Sequence, residues 1–155
     1  MGLVTSRTRF KGMYEIAFPA VNNRDSLIEV ELDLIETKQL IQLMGLDLYN
    51  QFASNPTDAL FAPLFQPMKY GRNFSSGIVE VITAYVYIEY QRMNYSLSTE
   101  NGRLVKSSST GTVNSFVNRD MLIYNEHIGG WRAMQTYLSM TFSDYDGQDK
   151  SYLFY

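Results

Sequence analysis

Ser75–Asn94 reads SSGIVEVITAYVYIEYQRMN, and the reading of this stretch decides the fold. As a helix it carries a narrow polar stripe of Glu80, Thr83, Tyr87, Gln91 and Asn94, stepping by three and four. Nearly everything off that stripe is apolar or aromatic: Ile78, Val79, Val81, Ile82, Tyr85, Val86, Ile88, Tyr90 and Met93. A helix that is apolar around most of its circumference must be covered on most sides, so the stretch is expected to be the central helix of a small bundle. The rival is a strand. Val, Ile, Tyr and Thr favour sheets, and Ile78, Ile82, Val86, Ile88 and Tyr90 share one parity. Length decides for the helix: strands run about 5–6 residues, and neither Gly nor Pro follows Gly77 here. Ser76 is placed to cap the start, and Glu80 suits the positive end of the helix dipole.

Outward from this element, Asp25–Met44 reads as the first long helix, capped by Asp25 or Ser26. Leu27, Val30, Leu34, Ile41 and Met44 form one apolar stripe on it, and Ile28, Leu32, Ile35 and Leu43 form a neighbouring one. Gly45 stops it in the position where helices favour glycine. Asp47–Ser54 is a second helix with Leu48, Tyr49 and Phe52 inward, broken by Asn55-Pro56. Asp58–Phe65 is expected as a third short helix closed by Pro67, and Lys69–Ser75 as a loop. After the central helix, Leu97–Ser115 turns polar. Leu97–Glu100 and Arg103–Ser107 make a small hairpin around Asn101-Gly102, and the rest is a long polar loop of the kind that serves binding or is disordered. Asn118–Tyr145 is the last long helix, with Tyr124, Ile128, Trp131, Met134, Leu138, Phe142 and Tyr145 at helical spacing. Gly129-Gly130 within it marks a kink or a close backbone approach.

The expected organisation is therefore an N-terminal arm over 1–24, a helical domain over 25–145 with a loop or hairpin at 97–115, and a C-terminal tail over 146–155. The fold class is mainly α, a small bundle of about five helices with an extended arm and tail.

The totals agree. A chain of 155 residues fits one domain with a sizeable core, and 45% hydrophobic with 19% charged residues describe a folded soluble protein. The absence of cysteine excludes disulfide and thiol chemistry and fits a reducing compartment. No secretory signal opens the chain, and Met1–Ser6, which matches an N-myristoylation pattern, reads as a start followed by a small residue. Glu80, Glu89 and Arg92 interrupt the longest apolar run below the ~18–20 residues that span a bilayer, so no membrane association is expected. The twelve tyrosines and nine phenylalanines suit surfaces that become interfaces. Charge is uneven: Met1–Arg24 sets Arg7, Arg9, Lys11 and Arg24 against Glu15, whereas Asp25–Leu60 sets seven acids against Lys38. A basic arm and an acidic helix of this kind can pair head to tail between subunits, or simply be a solvated surface.

Chemistry is sought and not found. His127 has no second histidine or cysteine to join it in a metal set and reads as a surface or packed residue. Ser107–Gly111 is serine-rich without being a nucleophile elbow, and Asn101-Gly102 and Gly111 lack the spacing of a phosphate loop. Asp144, Asp146, Gly147 and Asp149 lack the glutamate and spacing of a calcium loop. Arg7, Arg9 and Lys11 supply only weak, salt-sensitive phosphate affinity, so an inter-subunit role is as good a reading. Glu29, Asp33 and Glu36 share one helix face but form no acid–base pair. No enzyme activity and no cofactor or metal are expected.

At Leu40–Phe52, LIQLMGLDLYNQF, the chain resembles the LLG…LY…F signature of head-to-tail connector proteins of tailed bacteriophages, in particular those of crAss-like and related Bacteroidetes phages. Further matches follow in order. Gly12–Ile16 resembles the family's entry segment, and Ser76-Gly77 with Tyr85, Tyr87, Glu89-Tyr90 and Arg92 its aromatic central helix. Thr99–Lys106 resembles its T-x-x-G-x-V-K hairpin, while Tyr124-Asn125-Glu126 and Gln135 with Tyr137-Leu138 resemble its last helix. The resemblance covers about Gly12 to Tyr145. It implies a structural virion protein: a helical adaptor that assembles as a ring, usually of twelve copies, beneath the portal protein, extends the DNA channel and meets an adjacent connector or tail protein. It would reside at the head–tail interface of the virion and in the host cytoplasm during assembly, with DNA passing through without specific binding. On that logic Arg7, Arg9 and Lys11 of the arm, Asn101, Gly102, Lys106 and Gly111 of the loop, and Tyr152, Leu153, Phe154 and Tyr155 of the tail are expected to contact neighbouring subunits or rings. Glu29, Asp33 and Glu36 are expected to face the channel, where like charge lets DNA slide. The alternative is a non-virion helical homo-oligomeric interaction or scaffolding module, which shares the periodicity but not the ordered motifs. An enzyme is the third and least supported reading.

Overall fold

The computed structural model describes residues 2–16, 24–99, 102–105 and 114–150. The protein is mainly α. Four α-helices carry the described fold: α1 (Arg24–Met44), α2 (Leu46–Ser54), α3 (Ile78–Tyr95) and α4 (Asn114–Thr141).

α3 is the central element that its sequence demands. Every residue from Val81 to Ile88 is buried, including Thr83 and Tyr87 of the polar stripe. Thr83 satisfies its hydroxyl on the Val79 carbonyl at 2.7 Å, one turn back. α3 packs on α1 along one side and on α4 along another, while α1 and α4 touch less. Its start is built by Gly77, with φ 120° and its amide donating to the Ser75 hydroxyl at 3.1 Å, rather than by the expected Ser76 cap.

On α1 one of the two apolar stripes faces the core along the helix, whereas the other reaches it only at its C-terminal end, where Met44 is buried. Leu32, Ile35, Glu36, Gln39, Leu40 and Leu43 face the core. Leu27, Val30 and Leu34, expected to be equally apolar contacts, stand outside. Gly45 at φ 86° ends α1 as expected, its amide donating to Ile41 O at 2.8 Å, and the chain re-enters helix at once as α2. Phe52 of α2 meets Phe61 edge-on at 5.2 Å, and Phe61 stacks on Phe142 at 5.3 Å.

Two expectations are corrected here. The third short helix over Asp58–Phe65 does not form; the segment is a run of turns ending in a single 3-10 turn, Ala62–Phe65. Asp58 draws the Leu60 amide onto its own carboxylate at 2.9 Å, and Pro63 has no amide to give to a helix. Among the described residues the bundle thus has four α-helices, not five. Lys69–Ser75, expected as a loop, lies within a two-stranded hairpin, β1 (Met68–Tyr70) with β2 (Asn73–Ser75), paired Met68 to Ser75 and Tyr70 to Asn73. Gly71 takes φ 59° in its two-residue turn.

The second hairpin forms one residue earlier than expected: β3 (Ser96–Thr99) pairs antiparallel with β4 (Gly102–Val105), so Gly102 stands in the strand opposite Thr99 rather than in the turn. α4 runs unbroken through Gly129-Gly130, so the pair serves close approach. A Cβ on Gly130 would stand 2.8 Å from Val81 Cγ2 and 3.3 Å from the Phe74 carbonyl, which shows β2 lying directly on the helix. Beneath them, Trp131 of α4 meets Tyr85 of α3 edge-on at 5.2 Å in the middle of the core.

Candidate interaction surface

The N-terminal segment is no free arm. Phe10, Tyr14 and Ile16 are buried in the core, and two 3-10 turns, Arg7–Arg9 and Gly12–Tyr14, carry the chain between those anchors. Glu36, 2% exposed on the inner face of α1, holds the segment's start. Its carboxylate accepts from the Thr5 amide at 2.8 Å, the Val4 amide at 3.0 Å and the Thr5 hydroxyl. Glu36 therefore cannot face a channel, because a carboxylate that has lost its water is held here by three donors of its own chain. Glu29 and Asp33 are half-buried and line a small recess with Gly2, Thr5, Ser6, Arg7, Phe10 and Leu32. Basic arm and acidic helix thus line one recess within the chain, with Arg7, Arg9 and Lys11 all exposed.

Two further clasps hold the arm. The Tyr14 hydroxyl lies 2.6 Å from His127 Nε2, both side chains buried. Burial pushes the Tyr14 phenol up, with Glu80 and Glu126 adding to it. Burial pushes His127 down against the opposing pull of Glu126 and Glu80. His127 is thus the packed histidine of the two readings its isolation allowed. Arg119 of α4 donates to the carbonyls of Met13 and, at 3.4 Å, Gly12, with its guanidinium 5.6 Å from the Tyr87 ring centre.

The C-terminal segment is strapped onto α1, α3 and α4. Gln148 donates its amide to Gln42 O at 2.7 Å and accepts from Trp131 Nε1 at 3.2 Å and Gln135 Nε2 at 2.8 Å. Asp149 receives Arg132 on both oxygens, at 3.1 and 3.3 Å. The Lys150 carbonyl accepts from Tyr124 at 3.0 Å. Lys150 itself is 3% exposed. Its Nζ donates to Gln42 Oε1 at 2.7 Å and to Gln39 Oε1, and lies 4.7 Å from the Trp131 ring centre and 5.1 Å from that of Tyr85.

Among the described residues, an apolar stripe on α1 stays uncovered by these clasps. Leu27, Val30 and Leu34, spaced three and four apart on the outer face of α1, are 68%, 56% and 67% exposed. Glu31 is half-buried between them in sequence, and Glu29 and Asp33 flank them. Leu122, Met93 and Met140 are also exposed, on the other long helices. Among the described residues, no group of three or more His, Asp or Glu side chains is arranged to hold a metal ion, and no helix is long and apolar enough to cross a membrane. What this arrangement does chemically is hold its terminal segments in fixed places and present an apolar helix edge.

Of the residues expected to contact partners, Arg7, Arg9 and Lys11 sit on the docked arm, and Gly102 opens β4. Asn101, Lys106, Gly111 and Tyr152–Tyr155 lie outside the described residues. Glu36 carried a signal that pattern reading passes over: it shares its helix face with Leu32, Leu40 and Leu43, so a carboxylate there had to find donors. Lys150 and Arg119 carried no such signal, since their partners are more than one hundred residues away for Gln39 and Gly12 alike. Compared with models of protein families, with curated proteins and with solved structures, the chain finds no match in any of the three.

Proposed function

We propose that this chain is a structural assembly protein, a head-to-tail connector of a tailed bacteriophage that forms a ring beneath the portal and extends the DNA channel. The observation that carries the assembly role is the exposed stripe Leu27, Val30 and Leu34 on the outer edge of α1. Three apolar side chains at helical spacing on one outer edge suit a neighbouring helix better than water. The connector identity rests on the resemblance, and its leading motif has a physical reading. Leu40–Phe52 is the α1–α2 corner, in which Leu40, Leu43, Met44, Leu48 and Phe52 are buried around Gly45.

In this reading subunits pack side by side through α1, with Arg9, Lys11, the segment around β3–β4 and the tail Tyr152–Tyr155 reaching to neighbouring subunits, the portal or the next ring. Of the acidic face, the half-buried Glu29 and Asp33 are the members that this reading turns toward the channel. DNA passes without specific binding, no membrane takes part, and the mechanism is positional rather than catalytic.

The test is mass spectrometry of purified particles of the source virus, with this chain quantified against the portal protein. Equal copy number supports a ring matched to the portal. Absence from the particles overturns the connector reading and favours the second one, a non-virion helical homo-oligomer built on the same stripe.

A further inference from the structure

The end of the described chain holds a group that the assembly reading does not use. Lys150 carries its amine into the interior between three helices, where two glutamine oxygens and two aromatic faces receive it. A neutral amine brings two N–H donors to two carbonyl oxygens, Gln39 Oε1 and Gln42 Oε1. A third proton adds a full charge in a place with almost no water. The charged and titratable groups around it come from every element that packs there: Lys38 on α1, Tyr85, Glu89 and Arg92 on α3, Tyr124 and Arg132 on α4, and Asp149 on the strap. Asp149 is engaged by Arg132, so the strap's nearest carboxylate is committed elsewhere.

We propose that Lys150 is a proton-sensitive latch: its amine, seated among Gln39, Gln42, Tyr85 and Trp131, fastens residues 146–150 over the core, and its protonation loosens the strap. The same residues that position the amine fix the backbone beside it, since Gln42 also accepts the Gln148 amide and Trp131 donates to the Gln148 carbonyl. Releasing Lys150 therefore releases the strap as a unit and opens the indole of the chain's single tryptophan to solvent. Burial pushes the amine down from the ordinary 10.5 to about 7, with Glu89 opposing and Lys38 and Arg92 assisting. Released, the amine returns to its ordinary range. The docked state thus binds fewer protons than the released one between those two values. Docking tightens as pH rises above about 7 and is weakest, and pH-independent, below it.

The test is hydrogen exchange on the full chain between pH 6 and pH 8, corrected for the intrinsic rate, beside a Lys150→Met variant. Opening of residues 145–150 is expected to fall about tenfold over that range in the wild type, while α3 keeps its protection. In Lys150→Met the dependence is expected to vanish. His127, one turn before Trp131, titrates in both proteins and so cancels in the comparison. A second readout needs no variant that must fold: the ε-carbon resonance of Lys150 in the labelled wild type. A midpoint near 7 supports the latch. A midpoint above about 10, or strap opening independent of pH in the wild type, overturns it.

Discussion

The Thr5 amide donates to the buried Glu36 carboxylate at 2.8 Å, and that contact ties the start of the described chain to the middle of α1. Removing the carboxylate strands the Val4 and Thr5 amides and the Thr5 hydroxyl away from water. Glu36→Ala is expected to cost about 2–4 kcal/mol, and Glu36→Gln less, because an amide oxygen still accepts. Urea denaturation of the two variants checks the order. Equal stability of Glu36→Ala and wild type would contradict the arrangement.

Gly129 and Gly130 are adjacent in α4 but face different surroundings. A Cβ on Gly129 meets only ordinary contacts of 3.6–3.8 Å, so Gly129→Ala gains helix propensity and is expected to stabilise by up to about 1 kcal/mol. A Cβ on Gly130 meets Val81 and the β2 backbone closely, so Gly130→Ala is expected to destabilise by about 1–3 kcal/mol. Thermal melts of both variants give the comparison.

Burial lowers the affinity of His127 for a proton in the folded state. The unfolded chain then binds more protons as pH falls through 6.5, and stability declines on that side. His127→Gln is expected to flatten the decline while weakening the grip on Tyr14. Stability measured at pH 5 and pH 8 for both proteins separates the two effects.

Asp120 has the opposite sign. Burial pushes it up to about 6, against the pull of Arg92 and Arg119, so the folded state binds its proton more tightly than the unfolded state does. Stability is gained as pH falls from about 6 towards 3.8. Asp120→Asn is expected to stabilise at pH 7 by about 1 kcal/mol, after allowance for its partial exposure, and to make no difference at pH 3.5. A larger gain at pH 3.5 than at pH 7 would refute the sign.

The outer stripe of α1 makes the sharpest contrast between folding and assembly. Replacing Leu27, Val30 and Leu34 together by Lys removes no buried contact of the isolated domain, so its melting is expected to change little. Self-association, followed by sedimentation or native mass spectrometry, is expected to be lost. Retained oligomers would put the subunit contact elsewhere.

The central helix was legible because eighteen residues apolar around most of the circumference, with only a narrow polar stripe, have one good physical solution. Gly45 and the inward Phe52 were legible because glycine and aromatic spacing act locally. The third helix failed for a local reason as well: Asp58 and Pro63 outweigh the apolar spacing of Leu60, Phe61 and Leu64. The β1–β2 hairpin went unread because three-residue strands are too short for a period, and they form by leaning on Gly129-Gly130 of a helix distant in sequence. The clasps of Arg119 and Lys150 lay beyond any pattern, since a long polar side chain on a sequence looks the same whether it snorkels to water or crosses the fold to a carbonyl. Choosing between the two stripes of α1 likewise depended on where the N-terminal segment docks.

Gly45 lies under the Asp146 backbone, with room for no more than a hydrogen there, so the α1–α2 corner and the C-terminal strap close on each other. About one hundred residues separate them along the chain. During synthesis the N-terminal clasp on Glu36 has both partners early, whereas the seat around Gln42, Gly45 and Trp131 stays open until residues 146–150 have left the ribosome. The seat closes only once residues 146–150 have been made, so a chain terminated before them would differ from a longer one at Gln42, Gly45 and Trp131.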